Sequence, residues 1–295
     1  MRFDSRHPAV NFIFFSAVIL ADCLFNQPVF LAIGWVCPFV YSLHLAGKRA
    51  MKFDGILLIF TAIFPFLYSF FAHFGVTVLT VNVIGNPVTL EAIVSGLVIA
   101  VKVSSFLMWF FCVHEVVSSD QIVYLFGRIS PRLSLFLSIL LRMVPQIRLC
   151  FRRVNEAQKG IGLGVGEGGF LRGISRWFRV SSIVLTWLND SLIQSAASMK
   201  CRGYSLPGRT AFSVFRFDYR DRIFVISMSA CLSVLTAGSL LDQTRILYRP
   251  EIVMNHVTPV SFLFYAAYGI LCLMPLAADV ISSVQFRKAE EISAV

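Results

Sequence analysis

The chain has 295 residues, of which 57% are hydrophobic and only 14% charged, and its mean hydropathy is +0.76. Soluble domains carry about a quarter charged residues, so this balance excludes an ordinary soluble globular protein and points to lipid as the solvent. The formal net charge is nevertheless +10, which in so apolar a chain marks cytoplasmic loops before it marks nucleic-acid contacts.

Six apolar stretches reach the roughly 17–25 residues that a membrane-spanning helix needs. They lie near residues 9–25, 28–46, 55–74, 90–113, 223–241 and 258–283. Only Asn26, Gln27 and Pro28 separate the first two, which predicts a tight hairpin. The first stretch follows Arg2 and Arg6 as a secretory signal would. Asp22 interrupts its end, no small-residue cleavage site follows, and a second span begins at once, so it reads as an uncleaved first span. Lys102 falls inside the fourth stretch, where a charge is costly: either it faces a partner or a neighbouring helix, or the register of the span is shifted. Asp22 and Asp279 lie near span ends, where an interfacial position is expected.

The basic residues orient the spans. Arg2 and Arg6 precede the first, Lys48, Arg49 and Lys52 fall in a loop at 47–54, and the loop 75–89 has no Lys or Arg. Residues 120–222 hold sixteen Lys/Arg against six Asp/Glu, a surplus equal to the net charge of the whole chain. Arg287 and Lys288 follow the last span, and only Arg245 and Arg249 oppose the trend. The positive-inside rule then places both termini, loop 47–54 and the basic insert in the cytoplasm. The expected organisation is an all-α integral membrane protein. It has N-terminal transmembrane helices in 1–117, a cytoplasmic domain of long amphipathic helices in 118–222, and C-terminal transmembrane helices with a short tail in 223–295.

Within the insert, Ser118, Ser119 and Asp120 supply capping residues for a short helix containing Ile122, Val123, Leu125 and Phe126. Pro131 suits the first turn of the next helix. From Pro131 to about Lys159 the apolar positions Leu133, Phe136, Leu137, Leu140, Leu141, Val144 and Ile147 recur at helical spacing. The second half carries Arg142, Arg148, Arg152, Arg153 and Lys159. At 1.5 Å per residue this helix runs roughly 40 Å, long enough to leave the membrane and lie across its inner surface. Pro145 is expected to kink it, and Arg142 to mark its exit or to snorkel at the interface. The segment GIGLGVGEGG at 160–169 ends it. A second helix follows from about Phe170 to Arg202, with an apolar face of Trp177, Val180, Val184, Trp187, Leu188 and Leu192. Gly203 suits a left-handed helix end, and Pro207 and Gly208 reinforce the stop.

Two segments of this insert carry a family resemblance. Glu156-Ala157-Gln158-Lys159-Gly160-Ile161-Gly162 and Ser198-Met199-Lys200-Cys201-Arg202-Gly203-Tyr204 resemble the paired Ala-Arg-Gly signatures of the transmembrane T component of energy-coupling-factor (ECF) transporters. His7-Pro8, Pro28 and Leu141-Arg142-Met143-Val144-Pro145 are similar to family features as well, so the likeness covers most of the chain. The second signature is the specific one: Arg202 and Gly203 match, and Cys201 replaces Ala with another small side chain. In the first, Gly160 takes the Ala place, Ile161 the Arg place, and Gly162 is kept.

The resemblance implies a non-catalytic scaffold without cofactors, in a prokaryotic plasma membrane. It implies three kinds of partner: two cytoplasmic ATP-binding ECF ATPase subunits, a small substrate-binding membrane subunit called the S component, and membrane lipid. Coupling-helix tips sit in grooves on the ATPases, whose closure moves the helices and reorients the S component to release a vitamin or metal ion inward. An Arg at a tip offers a fork of donors for an acidic groove, which Lys159, a flexible point charge, matches only in part. The two ATPase contacts are therefore expected to be unequal, with the Arg202 tip the stronger.

Other readings of the same residues are weaker. Arg202 near a helix end also gains about 0.3–1 kcal/mol from the helix dipole with no partner at all. Gly164, Gly166 and Gly169 fit G-x-G-x-x-G but follow a helix, so they read as a turn and not a dinucleotide site. No G-x-x-x-x-G-K-[ST] occurs, and the chain supplies no ATPase of its own. The five His and seven Cys are dispersed, with no ligand spacing for a metal and no disulfide framework. Anionic inner-leaflet lipid accounts for the basic charge without nucleic acid. A membrane-embedded enzyme on lipid-linked substrates needs convergent carboxylates or His, and a secondary transporter needs repeated halves with broken helices. Neither pattern is visible.

Overall fold

A computed structural model describes residues 6–72, 75, 77–81, 87–165, 169–204, 206, 215, 217–241 and 259–293. Among them are nine helices and one two-stranded hairpin. In chain order they are α1 (Pro8–Leu24), α2 (Pro28–Ala46), α3 (Lys48–Phe71), β1 (Val78–Val81), β2 (Pro87–Thr89), α4 (Leu90–Val116), α5 (Ser119–Ile129), α6 (Pro131–Gly160), α7 (Phe170–Cys201), α8 (Tyr219–Leu240) and α9 (Pro259–Ser293). The fold is that of an all-α membrane protein. Arg2, Arg245, Arg249, Pro207 and Gly208 lie outside the described residues.

The helices fall into two compact units, one formed by Met1–Ser118 with Phe215–Val295 and the other by Ser119–Val214. The sequence boundary at 222 lies inside α8, which already begins at Tyr219. Asp218 opens that helix with a reciprocal capping box to Asp221, so the chain is helical before it turns apolar.

In the first unit, proline starts α1, α2 and α9, where a missing N–H costs nothing. Phe14 sits where three helices meet: its ring lies 6.4 Å from Trp109 on α4 and 5.7 Å from Phe224 on α8. At the other end of α1, Phe25 packs at 4.7 Å on Phe30 of α2, which in turn meets Tyr265 and Tyr268 of α9 at 5.0 and 5.4 Å. Each such pair contributes about 0.5–1.5 kcal/mol beyond its area. Lipid gives helices no hydrophobic drive to associate, so close approach at small residues matters more. A Cβ on Gly96 of α4 would meet Pro65 Cα and Tyr68 Cβ of α3, each at 3.1 Å, so this glycine sets the α3–α4 spacing.

Two sequence expectations change here. Lys48, Arg49 and Lys52 do not form a loop at 47–54. Gly47, at φ 51°, reverses the chain alone, and α3 starts at the next residue. The polar residues then make the first turns of α3, whose inner face buries Ala50 and Asp54. Asp54 accepts a hydrogen bond from Ser42 of α2 across that corner. The set of long apolar helices also differs. Six helices are long and apolar enough to cross a membrane: α2, α3, α4, α8, α9 and Arg132–Gly160 of α6. The expected first span is the shorter α1, whose 17 residues cover roughly 25 Å against a hydrocarbon core of about 30 Å.

Lys102 faces a neighbouring helix. Its ammonium donates to the Cys23 carbonyl at 2.8 Å and to Asn26 Oδ1, so it closes the C-terminal end of α1, where free carbonyls and the helix dipole favour a cation. Asp22 and Asp279 are buried, at 4% and 5% exposure, against the interfacial position expected. Asp22 accepts from Tyr268 Oη at 3.4 Å beside Gly34, and Ser105 Oγ donates to the Gly34 carbonyl at 2.7 Å. Before α1, Arg6 lies over the Phe224 ring at 4.6 Å. Burial pushes its guanidinium below the ordinary value, and Asp221 and Asp279 pull it back up.

Candidate functional site

The second unit carries all the residues of the two sequence signatures. α5 and α6 form a hairpin fastened by Ser134 Oγ, which donates to the Val123 carbonyl at 3.2 Å. Pro131 occupies the first turn of α6, as the sequence predicts, and the helix continues through Pro145 to Gly160. α6 and α7 join through a small core in which Val154 meets Val180, Val184 and Leu188. The last three are spaced by four and form one stripe of α7. Most of the remaining predicted apolar positions stay open, Phe136, Val144, Trp177 and Trp187 among them, while Leu137 is half-buried. Arg142 and Pro145 are exposed too. Four buried side chains, with Met143, Cys150, Phe151, Val165 and Ile183 partly buried against them, cover only part of the two faces.

Both signatures form helix ends, and the two ends are built alike. At the end of α6 the Gly162 N–H donates to the Lys159 carbonyl at 3.0 Å and the Leu163 N–H to the Gln158 carbonyl at 2.9 Å. At the end of α7 the Gly203 N–H donates to the Lys200 carbonyl at 3.0 Å and the Tyr204 N–H to the Met199 carbonyl at 3.2 Å. This cap needs a left-handed residue, and Gly162 and Gly203 provide it at φ 73° and 76°. Gly160 thus corresponds to Cys201, Ile161 to Arg202, and Lys159 to Lys200. Lys200, already quoted within the second signature, is thereby the counterpart of Lys159.

The side chains at the two ends differ. Ile161 is 67% exposed, and a Cβ on either flanking glycine would meet nothing within 4 Å. It stands bare, with Lys159 exposed beside it. Arg202 and Cys201 are exposed likewise, but Leu206 lies close to the cap, its Cδ1 3.1 Å from where a Cβ of Gly203 would be. Glu156 and Ala157 are exposed on the last turns of α6.

The structure does not bring the two ends together. The loop after Gly162 is tied to both helices: Asn155 Oδ1 accepts from the Val165 N–H at 3.0 Å, and Arg176 Nη1 donates to the Gly164 carbonyl at 3.3 Å. The α6 end therefore lies by the start of α7, twenty-six residues before Arg202. Along the α7 axis that is roughly 40 Å. Sequence reasoning passed over Asn155 and Arg176 because nothing local distinguishes them from the other polar residues of the insert.

Among the described residues no group of three His, Cys, Asp or Glu is placed to hold a metal ion. Fold and site together define a multi-pass α-helical membrane protein whose second unit presents two exposed, glycine-capped helix ends. No protein-family model matches the chain, and no curated protein matches it.

Proposed function

We propose that the chain is the transmembrane energy-coupling T component of an ECF-type ATP-driven importer for a vitamin or metal ion. The observation that supports it most is the shared cap: two exposed helix ends of one design, roughly 40 Å apart, one carrying Arg202 before Gly203. A planar guanidinium on a rigid helix end is suited to bidentate pairing with a carboxylate on a partner. In this reading each end docks in a groove of one cytoplasmic ATPase subunit. ATP-driven closure moves α6 and α7, and the S component reorients in response. The protein sits in a prokaryotic plasma membrane with both termini and the second unit in the cytoplasm, and the open apolar faces of α6 and α7 meet lipid or the S component. The scaffold itself is non-catalytic.

The test is co-purification of the tagged full chain with the ATPases expressed beside it. Arg202→Glu is expected to lose at least one ATPase; recovery equal to wild type sinks the assignment.

A further inference from the structure

Two thiols from helices far apart in the chain meet inside the first unit. Cys37 of α2 and Cys272 of α9 are free and buried, at 7% and 1% exposure. The packing one turn earlier explains the encounter. Tyr268 Oη lies 3.0 Å from where a Cβ of Gly34 would be, and Ile33 Cγ2 lies 4.0 Å from that of Gly269, so α2 and α9 run in close contact. Cys37 follows Gly34 by three residues and Cys272 follows Tyr268 by four, which puts each thiol one turn further along the same contact face. There the Cys272 thiol donates to Cys37 Sγ, and the Tyr268 hydroxyl reaches both Cys272 and Asp22. Both helices are interrupted at this level. Pro38, next to Cys37, cannot donate to the Gly34 carbonyl, which accepts from Ser105 Oγ at 2.7 Å instead, and Pro275 breaks α9 three residues after Cys272.

Paired thiols can hold a metal ion or join to one another, and the surroundings decide between the two. A structural zinc takes four ligands, and among the described residues no group of three His, Cys, Asp or Glu is placed to hold an ion. Joining the sulfurs needs no third group and leaves a neutral product, which an apolar core tolerates. We propose that Cys37 and Cys272 form a covalent modification site, at which a small neutral peroxide oxidises the pair to a disulfide linking α2 to α9. Cys37, the more open of the two, reacts first. Its sulfur attacks the peroxide, the O–O bond breaks, one oxygen stays on the sulfur as a sulfenic acid and the other leaves as water. The Cys272 sulfur then displaces the sulfenic oxygen as a second water, and the S–S bond forms. Each sulfur gives up one electron and the peroxide takes up both. The Cys272 proton leaves with that second water, Tyr268 and Asp22 being the polar groups at hand to relay it. A charged reductant such as glutathione does not enter an apolar core, so the link outlasts the oxidant. It ties α2 to α9 beside their proline breaks, and the two helices no longer bend independently.

The test treats the full chain in detergent with hydrogen peroxide, alkylates the remaining thiols after unfolding and maps the peptides of the monomer without reduction. A linked peptide pair carrying Cys37 and Cys272 is expected. The unfolding midpoint of the wild type is expected to rise on oxidation, because a cross-link restricts the unfolded chain, and to stay in place in Cys37→Ala and Cys272→Ala. A third thiol, Cys112 of α4, donates to the Pro38 carbonyl at 3.9 Å, and Cys112→Ala is expected to form the link as the wild type does. The proposal is overturned if the exposed Cys23 and Cys201 are oxidised while Cys37 and Cys272 both stay free, or if Cys37 is found joined to Cys112. A linked chain that unfolds at the midpoint of the reduced one overturns it as well. These outcomes are independent of the importer reading, which stands or falls with ATPase capture.

Discussion

Lys102 of α4 reaches the carbonyl of Cys23, one of the last residues of α1, at 2.8 Å. A cation inside an apolar span thus completes the end of a neighbouring helix. It also lies near enough to Asp22 for the two charges to act on one another. Replacing Lys102 with Met keeps the length and removes the donors. A hydrogen bond from a charged donor contributes about 1.5–3 kcal/mol, and less where the pair is exposed, as this one is. The thermal unfolding midpoint in detergent is expected to fall, and an unchanged midpoint shows that the contact contributes nothing.

Gly96 makes a different kind of prediction, because its role is spatial. A leucine there has to displace Pro65 backbone and the Tyr68 side chain, both within 3.1 Å of the first added carbon. Overpacking of this kind costs about 1–3 kcal/mol. Gly96→Leu should lower the same midpoint, while Gly55→Leu, whose added carbon meets nothing within 4 Å, should not.

The α6–α7 junction is centred on four buried side chains, with five partly buried ones packed against them. Leu188→Ala removes an aliphatic group from that core, and such truncations cost about 2–5 kcal/mol. Limited proteolysis reads the result: the segment joining α6 to α7 should be cut faster than in wild type, with the first unit's fragments unaffected.

Gly203 at φ 76° is required by the helix end itself. A valine in that conformation costs about 1–2 kcal/mol, and its side chain meets Leu206 as well. Hydrogen exchange at the Gly203-position and Tyr204 amides, which close the cap, should accelerate in Gly203→Val. Equal exchange rates would mean that the cap does not hold the tip.

The separation of the two ends is measurable directly. Spin labels at positions 161 and 202, in a chain whose other cysteines are replaced, should give a distance distribution centred near roughly 40 Å. A population centred below about half that value contradicts the placement of the α6 end beside the start of α7.

The sequence alone determined what is local. Proline at helix starts, glycine at helix ends and the 3.6-residue period act within a few residues of themselves, so α2, α4, α6 and α7, the stop at 160–169 and the cap at Gly203 were legible before any folding was considered. The apolar excess likewise settled the all-α membrane class. What joins distant segments was not legible. The partner of Lys102 lies seventy-nine residues away, and Asp22 is buried because Gly34 and Tyr268 come from two other helices. The expected loop at 47–54 was undone in part by such a contact: Lys48, Arg49 and Lys52 are exposed as a loop would have them, but Asp54 is buried against Ser42 on the inner face of α3. Whether the signature residues formed one site or two was also undecided by spacing. Asn155 and Arg176 fasten the α6 end to the near end of α7, and that tertiary contact leaves Ile161 and Arg202 far apart on equivalent caps.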